Sequence, residues 1–198
     1  SEVILNVFAH ELQQASSYDP TPDQIFKAVE KTHLRLKGAY SVLLMISGVG
    51  LIAIRDPKGI RPLILGKKDN DLIGSEYMFA SESPALNALE FDIVGDLEPG
   101  EAVFITLEGS LHRKVCHKSP SNNPCIFEYV YLARPDAVID GISVMRSRLR
   151  MGQKLGKKIL DTYPDHDIEA VIPIPESSTS SAIEVAKFLG VNYREGFV

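Results

Sequence analysis

Cys125-Ile126-Phe127-Glu128-Tyr129-Val130-Tyr131-Leu132-Ala133-Arg134-Pro135-Asp136-Ala137-Val138-Ile139-Asp140 divides the chain into two patterns. Before it, short apolar runs are separated by turn signals. After it, a long amphipathic run leads into an apolar strand and a polar loop. The stretch carries Phe127, Tyr129, Tyr131 and Leu132 at near-alternate positions and breaks at Arg134-Pro135-Asp136. So much aromatic surface is expected to be buried, and the stretch reads as a buried joint between residues 1–124 and residues 125–198.

Immediately before it, Ser119-Pro120-Ser121-Asn122-Asn123-Pro124 has the composition of a domain boundary. Upstream, two helices are expected. The first runs from Ser1 with Val3, Ile4, Val7, Phe8 and Leu12 at helical spacing, and a polar turn follows around Ser16 to Pro20. In the second, Thr21 is placed to cap, Pro22 occupies the first helical position, and Gln24 can complete a reciprocal capping box. Ile25, Phe26, Val29 and Leu36 form its core stripe, and Gly38 is placed to close it in a left-handed cap. His33 reads as a surface or capping histidine rather than a ligand.

From Ala39 the period changes. Ser41 to Ile46 and Leu51 to Ile54 predict a hairpin of well-buried strands, followed by a tight turn at Asp56-Pro57-Lys58-Gly59. Further strands are expected at Pro62 to Leu65, Tyr77 to Ala80, Ala102 to Thr106 and Leu111 to Val115, with a polar loop through Asp71. A short helix over Ala85 to Leu89 is capped by Ser83. Two helices and about six strands predict an antiparallel sheet with helices layered on it, an α+β arrangement. Arg55, Asp56, Arg61 and Ser81-Glu82-Ser83 look exposed. Turn-flanking ion pairs and helix capping account for them, with carboxylate binding by the arginines as the alternative.

Downstream, Val144, Leu149, Met151, Leu155, Ile159 and Leu160 lie along a helix that also carries Arg146, Arg148, Arg150, Lys154, Lys157 and Lys158. These cations read as a solvated face, with a phosphate-facing patch as the alternative. Ile168 to Ile174 then predicts a strand, Pro175 to Ser180 a hydroxyl-rich loop, Ser181 to Leu189 a helix closed by Gly190, and Val191 to Phe197 a second strand. That is a parallel α/β unit. A polar loop between a strand's carboxyl end and a helix's amino end favours an anion, through free amides and the helix dipole. A serine-rich cap without a ligand explains the same residues. Neither a P-loop nor a dinucleotide fingerprint fits.

Composition narrows the classes. Hydrophobic residues make up 44% and charged residues 24% of 198 residues, which is globular rather than disordered. No run approaches the roughly 18 apolar residues of a membrane helix, and no signal peptide is visible. A net charge of -5 gives no general reason to expect nucleic acid as a partner. Cys116 and Cys125 form neither a disulfide framework nor a metal pair, which suits a reducing cytoplasm. The chain opens without Met inside an amphipathic pattern and closes on a strand, so it reads as a segment of a longer protein.

IRDPKGIRPLILG, SEYMFASES, LEPGEAVFI, FEYVYLARPD and VIPIPESS, in this order, resemble the amidophosphoribosyltransferases over essentially the whole chain. The resemblance implies two domains. Residues 1–124 would be the carboxyl-terminal part of an N-terminal-nucleophile glutaminase domain, built of antiparallel sheets with helices. Residues 125–198 would begin a type I phosphoribosyltransferase domain. The implied reaction uses ammonia from glutamine to displace pyrophosphate from Mg²⁺-bound phosphoribosyl pyrophosphate, giving phosphoribosylamine, the first step of purine biosynthesis. A cytoplasmic homo-oligomer is expected.

Departures from the family pattern matter as much. The family's nucleophile is an amino-terminal cysteine; here residue 1 is Ser, and neither Cys116 nor Cys125 takes that place. The glutamine-binding arginine, the Asn-Gly oxyanion pair and the substrate aspartate would precede Ser1, and the acidic pair that binds ribose would follow Val198. No catalytic residue is therefore expected in the chain, and the segment alone is expected to be inactive. What remains is the pyrophosphate loop, with Glu176, Ser177, Ser178 and Thr179 as substrate-binding residues and Ser178 as a contributor to the metal. Cys125 matches an iron–sulfur ligand of one branch of the family, but a cluster needs about four thiolates, so Cys125 alone does not support one. A phosphoribosyltransferase-like regulator that binds ligand without catalysis is the competing class, and a stand-alone glutaminase fused to something else is a third.

Overall fold

The computed structural model describes residues 2–15, 18–70 and 74–197. Ser1, Ser16, Asp71 and Val198, to which the expectations above extend, lie outside them. The chain divides into two units, Ser1–Pro124 and Cys125–Val198.

The first unit runs α1 (Glu2–Ala15), α2 (Pro22–Arg35), β1 (Ser41–Ile46), β2 (Gly50–Arg55), β3 (Ile64–Asn70), β4 (Gly74–Ala80), α3 (Ser83–Ala88), β5 (Asp92–Asp96), β6 (Glu101–Thr106) and β7 (Leu111–Val115). The strands form two antiparallel sheets, ordered β1-β2-β6-β7 and β4-β3-β5. Alternation along the central strands separates the layers. Ile52 and Ile54 of β2 and Ala102 and Phe104 of β6 meet Phe8, Ile25, Phe26 and Val29 of the helices. Their neighbours Ala53, Val103 and Ile105 meet Leu65 and Phe79 of the second sheet. Strands covered on both faces must be apolar throughout, which is why these runs show no alternation in sequence.

β1 is the exception among the apolar runs. Val42, Leu44 and Ile46 pack under the helices, but Leu43 and Met45 are exposed on the other face. The expected well-buried hairpin is therefore half right, because β1 is an edge strand. Similarly, Val3 in α1 is exposed while Phe8 carries the contact. β5 went unrecognised because most of its residues are exposed and it has no apolar run.

The capping box of α2 forms as expected: the Thr21 amide donates to Gln24 Oε1 at 2.9 Å, and the Gln24 amide donates to Thr21 Oγ1 at 3.4 Å. The helix ends before Gly38, however. Its terminal cap is Leu36 in an extended conformation, drawn into the apolar cluster beneath the helices. Gly38 has φ +106° but lies two residues beyond that cap. In α3, Ser83 is the buried first residue of the helix rather than its cap. Fully buried Leu86 holds this short helix in place, and Gly66 leaves it room: a Cβ there would sit 2.9 Å from Leu86 Cδ2.

Arg55 and Asp56 are the largest correction in this unit. Both are buried, and both act on the backbone. The Asp56 carboxylate accepts from the amides of Lys58, Ile60 and Arg61 at 2.9, 3.2 and 3.1 Å. The Arg55 guanidinium donates to the carbonyls of Gly59, Arg61 and Leu97. Together they satisfy the turn between β2 and β3, whose peptide groups have no ladder.

His33 is likewise no surface histidine. It is 4% exposed, with Nδ1 2.6 Å from the Tyr40 hydroxyl. Burial, and after it the nearby His117, pushes its imidazole down from 6.5 to about 4.

The second unit contains a π-type turn (Glu128–Leu132), β8 (Val138–Ile139), β9 (Ile142–Ser143), α4 (Val144–Thr162), β10 (Ala170–Val171), α5 (Thr179–Leu189) and β11 (Asn192–Tyr193). The aromatic stretch is thus helical. Successive residues on a helix point roughly 100° apart rather than 180°, so the alternating aromatics do not share a face. Tyr129 is 6% exposed, whereas Phe127 and Tyr131 are 61% and 65% exposed. Of the expected buried joint, Glu128, Tyr129, Ala133, Ala137 and Ile139 are buried, whereas two of its three aromatic residues face outward. Asp140 and Gly141, both at positive φ, turn β8 into β9 as an Asp-Gly pair suits.

The parallel strand–helix–strand unit is present, with Ala170 opposite Asn192 and Val171 opposite Tyr193. Its strands are shorter than expected. Only two residues of each pair, because β10 and β11 have no further partner strand among the described residues.

Replacing Asp56 with Ala leaves three amides of a buried turn without an acceptor, and should cost about 2–4 kcal/mol of unfolding free energy. A urea midpoint within error of the wild type would refute that role. For His33, the unfolded state binds the proton more readily than the fold. Stability should therefore be full above about pH 6.5 and fall as pH drops toward about 4. Unfolding measured across that window should show a flatter pH dependence in His33→Gln.

Candidate functional site

The second unit builds its loop on two closely packed helices. Gly152 and Gly156 of α4 face α5: a Cβ at Gly152 would lie 2.3 Å from the Ser181 carbonyl oxygen, and one at Gly156 2.8 Å from Phe188 Cβ. Helix axes come this near only over small residues. At its far end α5 stops at Gly190, left-handed at φ 70°. The amino end of α5 is therefore held against α4, and with it the loop that follows β10.

Within the loop, Ser178 occupies the cap position of α5 but makes no side-chain cap bond. Its hydroxyl turns back and donates to the Ile174 carbonyl at 2.7 Å. The Thr179 amide donates to the Glu176 carbonyl at 3.1 Å, and the Ala182 amide to the Ser178 carbonyl at 2.8 Å. The loop is thus wound into a turn that feeds the helix.

A cleft of about 590 Å³ opens beside it, walled by Glu176, Thr179, Ser180, Arg148, Met145 and Tyr193 among others. The four residues singled out from sequence are not gathered there. Glu176 and Thr179 line this cleft, while Ser178 lines an apolar groove of about 390 Å³ together with Leu155, Ile172 and Val185. Ser177 lines neither. Chemically, the cleft offers the carboxylates of Glu176 and Glu195, the hydroxyls of Thr179, Ser180 and Tyr193, the Arg148 guanidinium and the first turn of a helix, in which the leading amides have no intrahelical acceptor.

Arg148 was missed. Grouped with the solvated cations of α4, it is 3% exposed, with Nε donating to the Tyr129 carbonyl and Nη2 to the Ala133 carbonyl, each at 2.8 Å. A signal was available, since Val144, Arg148, Gly152 and Gly156, the buried residues of α4, recur at every fourth position on one helix face. Arg146, Arg150, Lys154, Lys157 and Lys158 are on or near the surface as expected. At the end of the aromatic turn, exposed Arg134 grips Asp136 through two bonds of 2.9 Å, and this holds the Asp136 carboxyl below the usual range.

No metal cage exists here. Among the described residues no three His, Cys, Asp or Glu side chains are placed to hold an ion. Ser178 offers one neutral oxygen that already donates to a carbonyl, and Mg²⁺ prefers carboxylates, phosphates and water. These side chains by themselves do not fit a resident Mg²⁺. Nor do the chain's two cysteines supply the about four thiolates of an iron–sulfur cluster. Cys125 is partly buried. Cys116 is buried, and that burial pushes its thiol up to about 12, so it is no nucleophile. Cys116 and Ser83 lie in the same unit, and Ser83 is the buried first residue of α3.

No protein-family model matches the chain. Individual proteins do. The amidophosphoribosyltransferase of Pseudomonas aeruginosa is 55% identical over 198 residues, covering 100% of this chain and 39% of that protein. That of Escherichia coli is 52% identical over the same 198 residues, again covering 39% of its own length. Among solved structures, the glutamine phosphoribosylpyrophosphate amidotransferase from B. subtilis, complexed with ADP and GMP, superposes with a TM-score of 0.75 at 31% identity, over 96% of this chain and 38% of that one. The chain therefore spans about two fifths of the length of the curated relatives it matches. With identity this high over every residue, and with a matching fold of helices and antiparallel sheets, the chain belongs to the amidophosphoribosyltransferase family.

Proposed function

We propose that the protein to which this chain contributes converts phosphoribosyl pyrophosphate to 5-phosphoribosylamine with ammonia taken from glutamine, the opening step of purine biosynthesis. The observation that carries this reading is the 55% identity to a named amidophosphoribosyltransferase along all 198 residues. On this reading residues 1–124 are the later part of the glutaminase domain. Residues 125–198 begin the phosphoribosyltransferase domain.

The Pro175–Ser180 loop is then the pyrophosphate loop, with Glu176, Ser177, Ser178 and Thr179 its binding residues. Loop amides and the dipole of α5 favour the anion. Mg²⁺ enters as part of the phosphoribosyl pyrophosphate substrate, with Ser178 at most adding one oxygen to it. Glu176, a carboxylate on the cleft wall, repels bare phosphate and accepts it better when the metal accompanies it. On this reading the chain supplies no catalytic group for glutamine hydrolysis, and the buried Cys116 thiol, pushed up by that burial, is unsuited to act as a nucleophile. Among the described residues no helix is long and apolar enough to cross a membrane. We read the setting as cytoplasmic and the assembly as a homo-oligomer.

The deciding experiment is glutamine-dependent pyrophosphate release by the full-length protein; no release above the glutamine-free rate would end this reading. Ser178→Ala should raise the KM for phosphoribosyl pyrophosphate about fivefold, as expected for loss of a hydrogen bond worth about 1 kcal/mol. Glutamine hydrolysis should stay close to wild type, and equal loss of both activities would argue against the loop assignment. The 198-residue chain alone should hydrolyse no glutamine, which an ammonia-release assay checks directly.

A further inference from the structure

Arg148 joins three segments of the second unit that are distant in sequence. Its guanidinium takes the carbonyls of Tyr129 and Ala133, at the end of the π-type turn where helical carbonyls lack intrahelical donors. Its own carbonyl accepts the Ser181 hydroxyl at 2.9 Å, in the first turn of α5. One helical turn on, Gly152 lets the Ser181 backbone come against α4. The side chain that holds the turn 128–132 thus belongs to the residue whose backbone holds the start of α5. The same side chain walls the cleft beside Glu176 and Thr179.

We propose that Arg148 is a positioning residue for phosphoribosyl pyrophosphate, fixing the Pro175–Ser180 loop relative to the turn 128–133. This inference rests on the function proposed above. Arginine suits the task because one planar fork reaches two carbonyls at once and stays charged when buried. Lysine presents a single point charge that cannot span both carbonyls in a fixed geometry. Misplacing a phosphate-binding loop by a fraction of an ångström weakens use of that substrate without touching chemistry elsewhere.

The test uses the full-length protein with Arg148→Met, Arg148→Lys and Ser181→Ala, each checked for folding by circular dichroism and a urea midpoint. Both Arg148 variants should raise the KM for phosphoribosyl pyrophosphate about tenfold. Their glutamine hydrolysis, measured without phosphoribosyl pyrophosphate, should stay within about twofold of wild type. Ser181→Ala, which cuts only the link to α5, should raise the same KM about threefold.

An unchanged KM in folded Arg148→Met would overturn the proposal, as would full recovery by Arg148→Lys or a parallel fall of both activities. If Arg148→Met does not fold, Ser181→Ala decides: a raised KM supports the positioning role and an unchanged one rejects it. A wild-type protein that releases no pyrophosphate with glutamine would overturn the functional reading itself. Wild-type release with an unmoved KM in the variants overturns this inference alone.

Discussion

Peptide groups that leave regular structure inside a core must still find partners, and in both units buried charged side chains meet that need. Asp56 takes three amides and Arg55 two carbonyls in the turn after β2, and Arg55 also takes the Leu97 carbonyl after β5. Arg148 takes two carbonyls at the end of the aromatic turn. A charge buried this way is stable only because backbone dipoles surround it. Removing it would leave several peptide groups unsatisfied at once, so these residues determine where irregular segments can lie.

Each unit then builds outward from such an anchor. In the first, the Asp56 turn carries the chain from the helix-covered sheet to the second sheet, and the doubly covered strands β2 and β6 supply the apolar interior between layers. In the second, the small residues of α4 let α5 approach, and that approach sets the amino end of α5 and the loop before it. The candidate binding loop is therefore placed by helix packing, not by its own serines. Its sequence-nominated residues divide between a polar cleft and an apolar groove for the same reason, because consecutive residues on a tightening turn face different ways.

Elements with a strong local signal were legible. Thr21-Pro22-Asp23-Gln24 states its own capping box, Gly190 ends α5 left-handed, and the apolar runs of β2 and β6 could be little else than covered strands. Misreadings gathered where burial depended on a distant neighbour. Met45 and Leu43 look like core residues but lie on a face with no covering layer. Arg55, His33 and Arg148 look like surface residues but fill interior positions. The aromatic stretch was misjudged through its period, since a helical turn leaves Phe127 and Tyr131 outward while Tyr129 turns in.

By itself, the sequence determined the family, the change of pattern near residue 125 and the longer helices and apolar strands, because motif spacing and short-range periodicity are written in consecutive residues. Tertiary structure alone decided which charges are interior, which apolar residues are bare and which loop residues share a cleft. Those outcomes depend on segments far apart in the chain meeting in space: the Ala133 carbonyl reaches Arg148, and the Ser181 hydroxyl reaches the Arg148 carbonyl. No local pattern records such meetings, since each partner is equally at home in water until the fold removes it.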